Sequence, residues 1–322
     1  YTTRMRRLGL FVIPIRFDES ISTYNDYIDF LVESEVHGYT HVYIGEHLTD
    51  SREDIQSSMI FAAAILARTK KLKVCLAVLP LPHYEIKLLV KQLEDLYKLG
   101  QGRIDIGFSA GALKSDAEYM GFEHTERGSI FNSKIASFME NVSKSSVLNE
   151  MLKPQFFSTI LSPYPVKAST LFKNNFSAIT SNFTHCSLWE NHIKCLTKGD
   201  MDLALESKWH IALNLIPDSG LSENSQLIIK ESLLYIYEKL VSCGLNIMLP
   251  SRKTPSQDNE TLKNILYSEL VFSKIPSQSM RQIKQYKKFL GHPIVNLFDC
   301  LTDACYVKYI YSLPEIEPIY QS

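Results

Sequence analysis

Four apolar runs near the start of the chain begin about thirty residues apart, and this spacing constrains the fold more than any other feature of the sequence. Leu8 to Pro14, His41 to Gly45, Leu72 to Val78 and Arg103 to Phe108 each read as a short buried strand. Between them, Ile21 to Val36, Ile55 to Thr69 and Ile86 to Leu99 carry apolar residues at helical spacing; in the first, Tyr24, Tyr27, Ile28 and Leu31 share one face. Gly38 and Gly100 stand where helix ends favour left-handed backbone. Crossovers of this size join parallel strands, whose sheet must be covered by the helices. Phe176 to Thr180, Asp202 to Leu205, His210 to Ile216 and Ile294 to Phe298 are the later strand candidates. They bring the count to eight and point to an α/β fold, a closed (βα)8 TIM barrel. Asn149 to Asn175, rich in proline and aromatics, and Ser251 to Glu260, which is polar, read as loop insertions. No linker separates the halves, so residues 1–322 are expected to form a single domain.

Composition narrows the function classes. With 45% hydrophobic and 21% charged residues, a chain of 322 can bury a large core, so a soluble globular protein is expected. A net charge of -1 supplies no broad field for gripping nucleic acid or an anionic membrane. The longest strongly apolar stretch, Met59 to Ala67, stops at Arg68, short of the roughly 20 residues that a membrane-spanning helix needs. Six widely spaced cysteines without a Cys-x-x-Cys pair read as reduced, mostly buried thiols, and a cytoplasmic location is expected. Despite Arg4, Arg6 and Arg7, the start reads as a first strand and not a signal peptide, because Pro14 and Arg16 interrupt the apolar run. Position 1 is Tyr and not Met, which suggests a trimmed terminus.

In a βα barrel the reactive residues follow the strands. Gly45-Glu46-His47 follows the second, Leu79-Pro80-Leu81-Pro82-His83 the third and Gly107-Phe108-Ser109-Ala110-Gly111 the fourth. Two histidines and a glycine-flanked serine thus meet on one face, a set suited to proton transfer beside a ligand. Each also has a plainer reading: a strand-end histidine satisfied by a carbonyl, a loop-stabilising His83, and a tight turn at Gly107 to Gly111 that lacks the dinucleotide-binding spacing. Thr180-Ser181-Asn182-Phe183-Thr184 places hydroxyls and free amides at a helix start, either as an anion site or as an ordinary N-cap. His185, Cys186, His192 and Cys195 lack the tighter spacing of zinc ligands, so no metal is expected.

Leu8-Gly9-Leu10-Phe11, Tyr43-Ile44-Gly45-Glu46-His47, Thr69 to Val74, Leu79 to His83, Gly102 to Gly107 and Gly111 also stand in a familiar order. In this order and spacing the chain resembles the bacterial luciferase-like family of flavin-dependent monooxygenases. The likeness is dense from Leu8 to about Val142 and thinner beyond, where Ser181, Thr184, Pro276 to Gly291 and Pro314 to Pro318 stay in register. The resemblance implies an oxidoreductase that takes reduced FMN from a separate flavin reductase, admits O2 and oxygenates a small organic substrate, an aldehyde or ketone, through a peroxyflavin. It also implies a homodimer joined through the second helix, where Met59 to Ala64 is apolar nearly all round. By position His47 matches the family's histidine near flavin and substrate, the candidate general base or proton donor, and Ser109 stands where luciferases carry a cysteine beside the reactive flavin edge. Glu46, His83, Ala110, Gly111, Thr180, Ser181 and Thr184 make up the cofactor-binding set, with the last two at the phosphate turn. Arg127 matches an arginine that orders the neighbouring helix and loop.

Two positions depart from the family pattern. Leu48 follows His47 where many members have a second histidine, and Ala110 replaces a phosphate-holding arginine. A deazaflavin-dependent hydride-transfer enzyme of the same superfamily and a non-catalytic flavin-binding subunit therefore stay open as alternatives. Ser251 to Glu260 lies where luciferases carry a mobile loop, so it is either a lid over the pocket or a solvated connector.

Overall fold

The computed structural model describes residues 8–12, 14–16, 22–149, 156–159, 177–181, 209–217, 219–243, 258–272 and 292–313. Its strands are β1 (Gly9–Val12), β2 (His41–Ile44), β3 (Lys73–Pro80), β4 (Ile104–Ser109), β5 (Phe156–Thr159), β6 (Ser177–Ser181), β7 (Trp209–Leu215), β8 (Val271–Phe272) and β9 (His292–Leu297). All strand pairings are parallel. They run from β1 through β6 in chain order, then β6 to β7, β7 to β9 and β9 back to β1, a closed circuit that β8 joins at the end of β7. The fold is therefore the α/β barrel that the repeat spacing predicts.

The helices are α1 (Tyr24–Val36), α2 (Ser58–Arg68), α3 (Ile86–Leu99), α4 (Lys114–Tyr119), α5 (Arg127–Ser143), α6 (Glu223–Ser242), α7 (Asn259–Leu270) and α8 (Ala304–Ser312). α1 starts at a capping box in which Thr23 and Asp26 each satisfy the other's backbone amide. α3 buries Leu89, Val90, Leu93 and Leu96 on one face, as its apolar spacing requires. The main core lies between these helices and the strands. A second, smaller cluster of Tyr43, Cys75, Ala77 and Ile179, with Phe11 against it, draws only on strand residues. Phe11, Tyr43 and Cys75 are register partners on successive strands. Gly9 is required beside them, since a Cβ there would meet the Tyr43 ring at 2.6 Å.

Several expectations need correction. Asn149 to Asn175 is not loop throughout, because Phe156–Thr159 is a strand between β4 and β6. Asn259 and Glu260 belong to α7 and not to the polar loop before it, and β8 went unforeseen. Gly38 is left-handed with φ 94, but Gly100 is right-handed; the positive φ values lie at Gln101 and Gly102. Of the cysteines, Cys75 and Cys300 are buried while Cys243 and Cys305 are partly exposed, and all four are free. The strand expected at Asp202 to Leu205, Cys186 and Cys195, and residues 251–257 fall outside the described residues. Among the described residues, no helix is long and apolar enough to cross a membrane.

Candidate functional site

Because the strands are parallel, the segments that leave β2, β3 and β4 emerge at the same end of the barrel. Register fixes how they align: Val12, Ile44, Leu76 and Ile106 stand at one level. Above that level β3 uses three residues where β4 uses two, so Leu79 pairs with Phe108 and Pro80 with Ser109. Such a bulge re-aims the side chains that follow it and is over-represented beside active sites. The Ala77–Val78 peptide inside it is cis.

His83 and Gly111 are brought face to face there. Gly111 has φ +84, and a Cβ on it would stand 3.4 Å from His83 Nε2. The Gly111 amide donates to Ser109 Oγ at 3.2 Å, so the serine shapes the turn that carries the glycine. His83 Nδ1 is buried without a hydrogen-bond partner among the described residues. Burial pushes the His83 imidazole below its ordinary value against the pull of Asp116, which favours the neutral ring. His47 lies close enough to contribute to the same lowering. The two histidines and the turn after β4 therefore share one region, as the sequence implies.

Around His47 the structure adds a charge cluster that sequence reasoning missed. His47 Nδ1 hydrogen-bonds the Glu53 carboxylate, and Lys239, from the last turn of α6, stands 3.2 Å from that same nitrogen. Lys239 Nζ also reaches Glu53 at 2.6 Å and Asp50 at 2.7 Å, while Tyr235 donates to Asp50. Burial would raise the Glu53 carboxyl, but His47 and Lys239 hold it below its usual range. Asp50 is likewise held at about 2 against its burial, by Lys239 and Tyr235. Ligand atoms of His47, Asp50 and Glu53 lie within 4.8 Å of one another, which is metal-like spacing. The Lys239 ammonium bonds to both carboxylates and so already stands between them, though one ammonium against two carboxylates leaves the trio with one net negative charge.

Glu46 has a different task from the one its motif suggests. One carboxylate oxygen accepts from the Ser58 amide at 2.7 Å and the Ser58 hydroxyl at 2.6 Å, and the other accepts from Tyr84. Both oxygens are thus taken inside the protein, and the residue ties β2 to the start of α2 and to the turn after β3. Burial raises its carboxyl above the ordinary value despite these bonds. Arg127 donates to the His124 carbonyl at 2.8 Å, and the His124 ring meets the Ala112 carbonyl at 2.9 Å, which anchors the segment after β4 at Ala112 to the start of α5. Thr180 and Ser181 end β6 at the same barrel end, whereas Thr184 lies outside the described residues. Asp50 and Glu53 were findable, three and six residues after His47; Lys239, 192 residues away, left no signal.

Residues 9–138 match the family profile described as luciferase-like monooxygenase. Limonene 1,2-monooxygenase of Rhodococcus erythropolis is 33% identical over 86 residues, 27% of this chain. The aligned segment spans only 22% of that relative's length. Among solved structures, the oxygenating constituent of 3,6-diketocamphane monooxygenase from Pseudomonas putida, in complex with FMN, aligns at TM-score 0.70 and 15% identity over 96% of this chain and 97% of its own. An F420-dependent secondary alcohol dehydrogenase, with an F420-acetone adduct, aligns at TM-score 0.67 and 14% identity over 98% and 99%. At these identities the structural likeness bears on the fold.

Proposed function

We propose that this chain is a luciferase-like monooxygenase, a reading supported by the family match over residues 9–138, and that it binds reduced FMN and oxygenates a small organic substrate. The observation that carries the reading is the meeting of His83, Gly111 and His47 at one end of the barrel, with a buried imidazole nitrogen that no described residue satisfies. A buried nitrogen of this kind fits a polar ligand group, and a glycine turn beside it lets backbone approach a flat ring. Reduced flavin supplies two electrons that divide O2 between the substrate and water. A separate reductase is the proposed source of those electrons.

The protein's own residues do the rest. His47, through Nε2, takes or returns a proton at the substrate, since Nδ1 is committed to Glu53. His83, favoured neutral by burial, offers a hydrogen bond from inside the pocket. The Gly111 turn, held by Ser109, provides close-approaching backbone. Thr180, Ser181 and Thr184 are the proposed holders of the flavin phosphate, with Ala110 contributing no charge there.

Anaerobic titration with reduced FMN, followed by oxygen and either decanal or cyclohexanone as probe substrate, tests the proposal. Flavin binding, oxygen uptake and an oxygenated product are expected. Flavin binding without oxygen uptake would move the reading to deazaflavin-type hydride transfer, and absence of flavin binding would end it. In a Ser181→Ala/Thr184→Ala variant FMN binding should weaken about tenfold or more, from lost hydrogen bonds to a charged group worth roughly 1.5–3 kcal/mol each.

A further inference from the structure

We infer that Lys134, on α5, is a positioning residue for His83: its ammonium clamps the carbonyls on either side of the histidine and so fixes the imidazole against the Gly111 turn, where the ligand of the proposed function would meet it. Lys134 Nζ donates to the Pro82 carbonyl at 2.9 Å and to the Tyr84 carbonyl at 2.7 Å. Leu81–His83 is a single 3-10 turn between β3 and α3, and so short a turn leaves its last carbonyls without partners from its own backbone. The peptide that enters His83 is thus held through the Pro82 oxygen. The peptide that leaves it is held by the Tyr84 amide, which donates to the Leu81 carbonyl at 3.1 Å. Tyr84 is fixed in turn by Lys134 at its carbonyl and by Glu46 at its hydroxyl. With both flanking peptides held, the direction in which the His83 side chain leaves the backbone is set.

The charge of Lys134 acts on the same ring. Four influences bear on the His83 imidazole: burial, Asp116 from α4, His47 from the segment after β2 and Lys134 from α5. Burial is the largest and lowers it, Asp116 raises it, and His47 and Lys134 add to the lowering. Burial also pulls the Lys134 ammonium below its ordinary value, with Glu85, next to the turn, opposing. The ring itself is closely bounded, with the Phe122 ring 6.0 Å away between centroids and Gly111 on the Nε2 side. Clamp and charge therefore work together. The clamp places the imidazole in that gap, and the charge favours its neutral form, in which one nitrogen donates and the other accepts.

The inference rests on the reading of His83 as a ligand-facing group, and its first readout needs no flavin. Nuclear magnetic resonance titration of the imidazoles, with His83 assigned by a His83→Gln variant, follows the ring directly. In the unaltered protein His83 should titrate below the ordinary histidine value. Lys134→Met should move that titration upward and weaken FMN binding about tenfold, with circular dichroism unchanged. Lys134→Arg, which keeps the charge and the donors, should match the unaltered protein in both readouts. If Lys134→Met does not fold, Lys134→Gln keeps donors for the carbonyls, removes the charge and should move His83 the same way. An unmoved His83 in a folded Met or Gln variant overturns the inference, as does FMN binding in Lys134→Met equal to that of the unaltered protein. Absence of FMN binding in the unaltered protein, with the His83 shift present, would fault the proposed function alone.

Discussion

At the scale of single residues, His47 is useful to the proposed chemistry because the protein has committed only one of its two nitrogens. Truncating it to alanine removes a proton-transfer group, for which roughly 100- to 10,000-fold of rate is the usual contribution. The fold should tolerate the loss, since Glu53 keeps Lys239 as an ion-pair and hydrogen-bond partner at 2.6 Å. The expected result for His47→Ala is a fall in product formation of at least 100-fold, with flavin binding retained and the melting temperature little changed. Product formation at the unaltered rate would remove the residue from the reaction. The motif made His47 legible because it stands three residues past the end of β2. Glu46, its neighbour in the same motif, shows the limit of such reading. Its two oxygens are taken by Ser58 and Tyr84, and no sequence pattern announces that a carboxylate is fully engaged inside the protein.

At the scale of elements, what the chain reveals depends on how much of each element is buried in a repeating way. β1 to β4 and α1 to α3 are apolar runs long enough to show a period, and the structure reproduces them within a few residues. β5 has four residues and β8 has two, too few for any period, and both take their place from the neighbours they pair with. Contacts between distant elements were equally silent. Asp303, the N-cap of α8, accepts from the Cys305 and Tyr306 amides at 2.9 and 3.2 Å and also from the Ser222 amide and hydroxyl and the Ser225 hydroxyl at the head of α6. Burial works against its charge, but these bonds prevail and hold the carboxyl at about 2. Its folded value lies below the unfolded one of about 3.9, so its stabilisation is full above that value and disappears as pH falls through about 2. Asp303→Ala should cost roughly 0.5–2 kcal/mol at neutral pH, the range for a lost N-cap. The difference from the unaltered protein should shrink steadily between pH 4 and 2 in denaturant titrations. A difference independent of pH would mean that the cap, and not its charge, carries the effect.

At the scale of the molecule, the outer face of α2 calls for a covering. Phe61, Ala62, Ile65 and Leu66 are buried against the barrel, as one side of a barrel helix should be. The opposite side is apolar as well: Ile60 is 74% exposed, and Ala63, Ala64 and Ala67 follow it at helical spacing without full burial. A surface helix ordinarily carries polar residues there. α2 has 11 residues and ends in Arg68, so a membrane span does not account for the stripe. α3 packs beside α2, and its Leu88 is 58% exposed as well. Small alanines let another helix approach closely, and a second copy of the chain would bring the same stripe in a two-fold arrangement. The expected assembly is therefore a homodimer in which α2 meets its counterpart, with the barrel mouths left free because α2 lies on the outside wall. Ile60→Asp puts a charge into the middle of that contact, where burying it unpaired is costly, and should shift the protein to monomer in light scattering at micromolar concentration. The site residues lie at the strand ends, so the monomeric variant should still bind FMN. A monomer before substitution, or a dimer that persists in Ile60→Asp, would assign the apolar stripe another role.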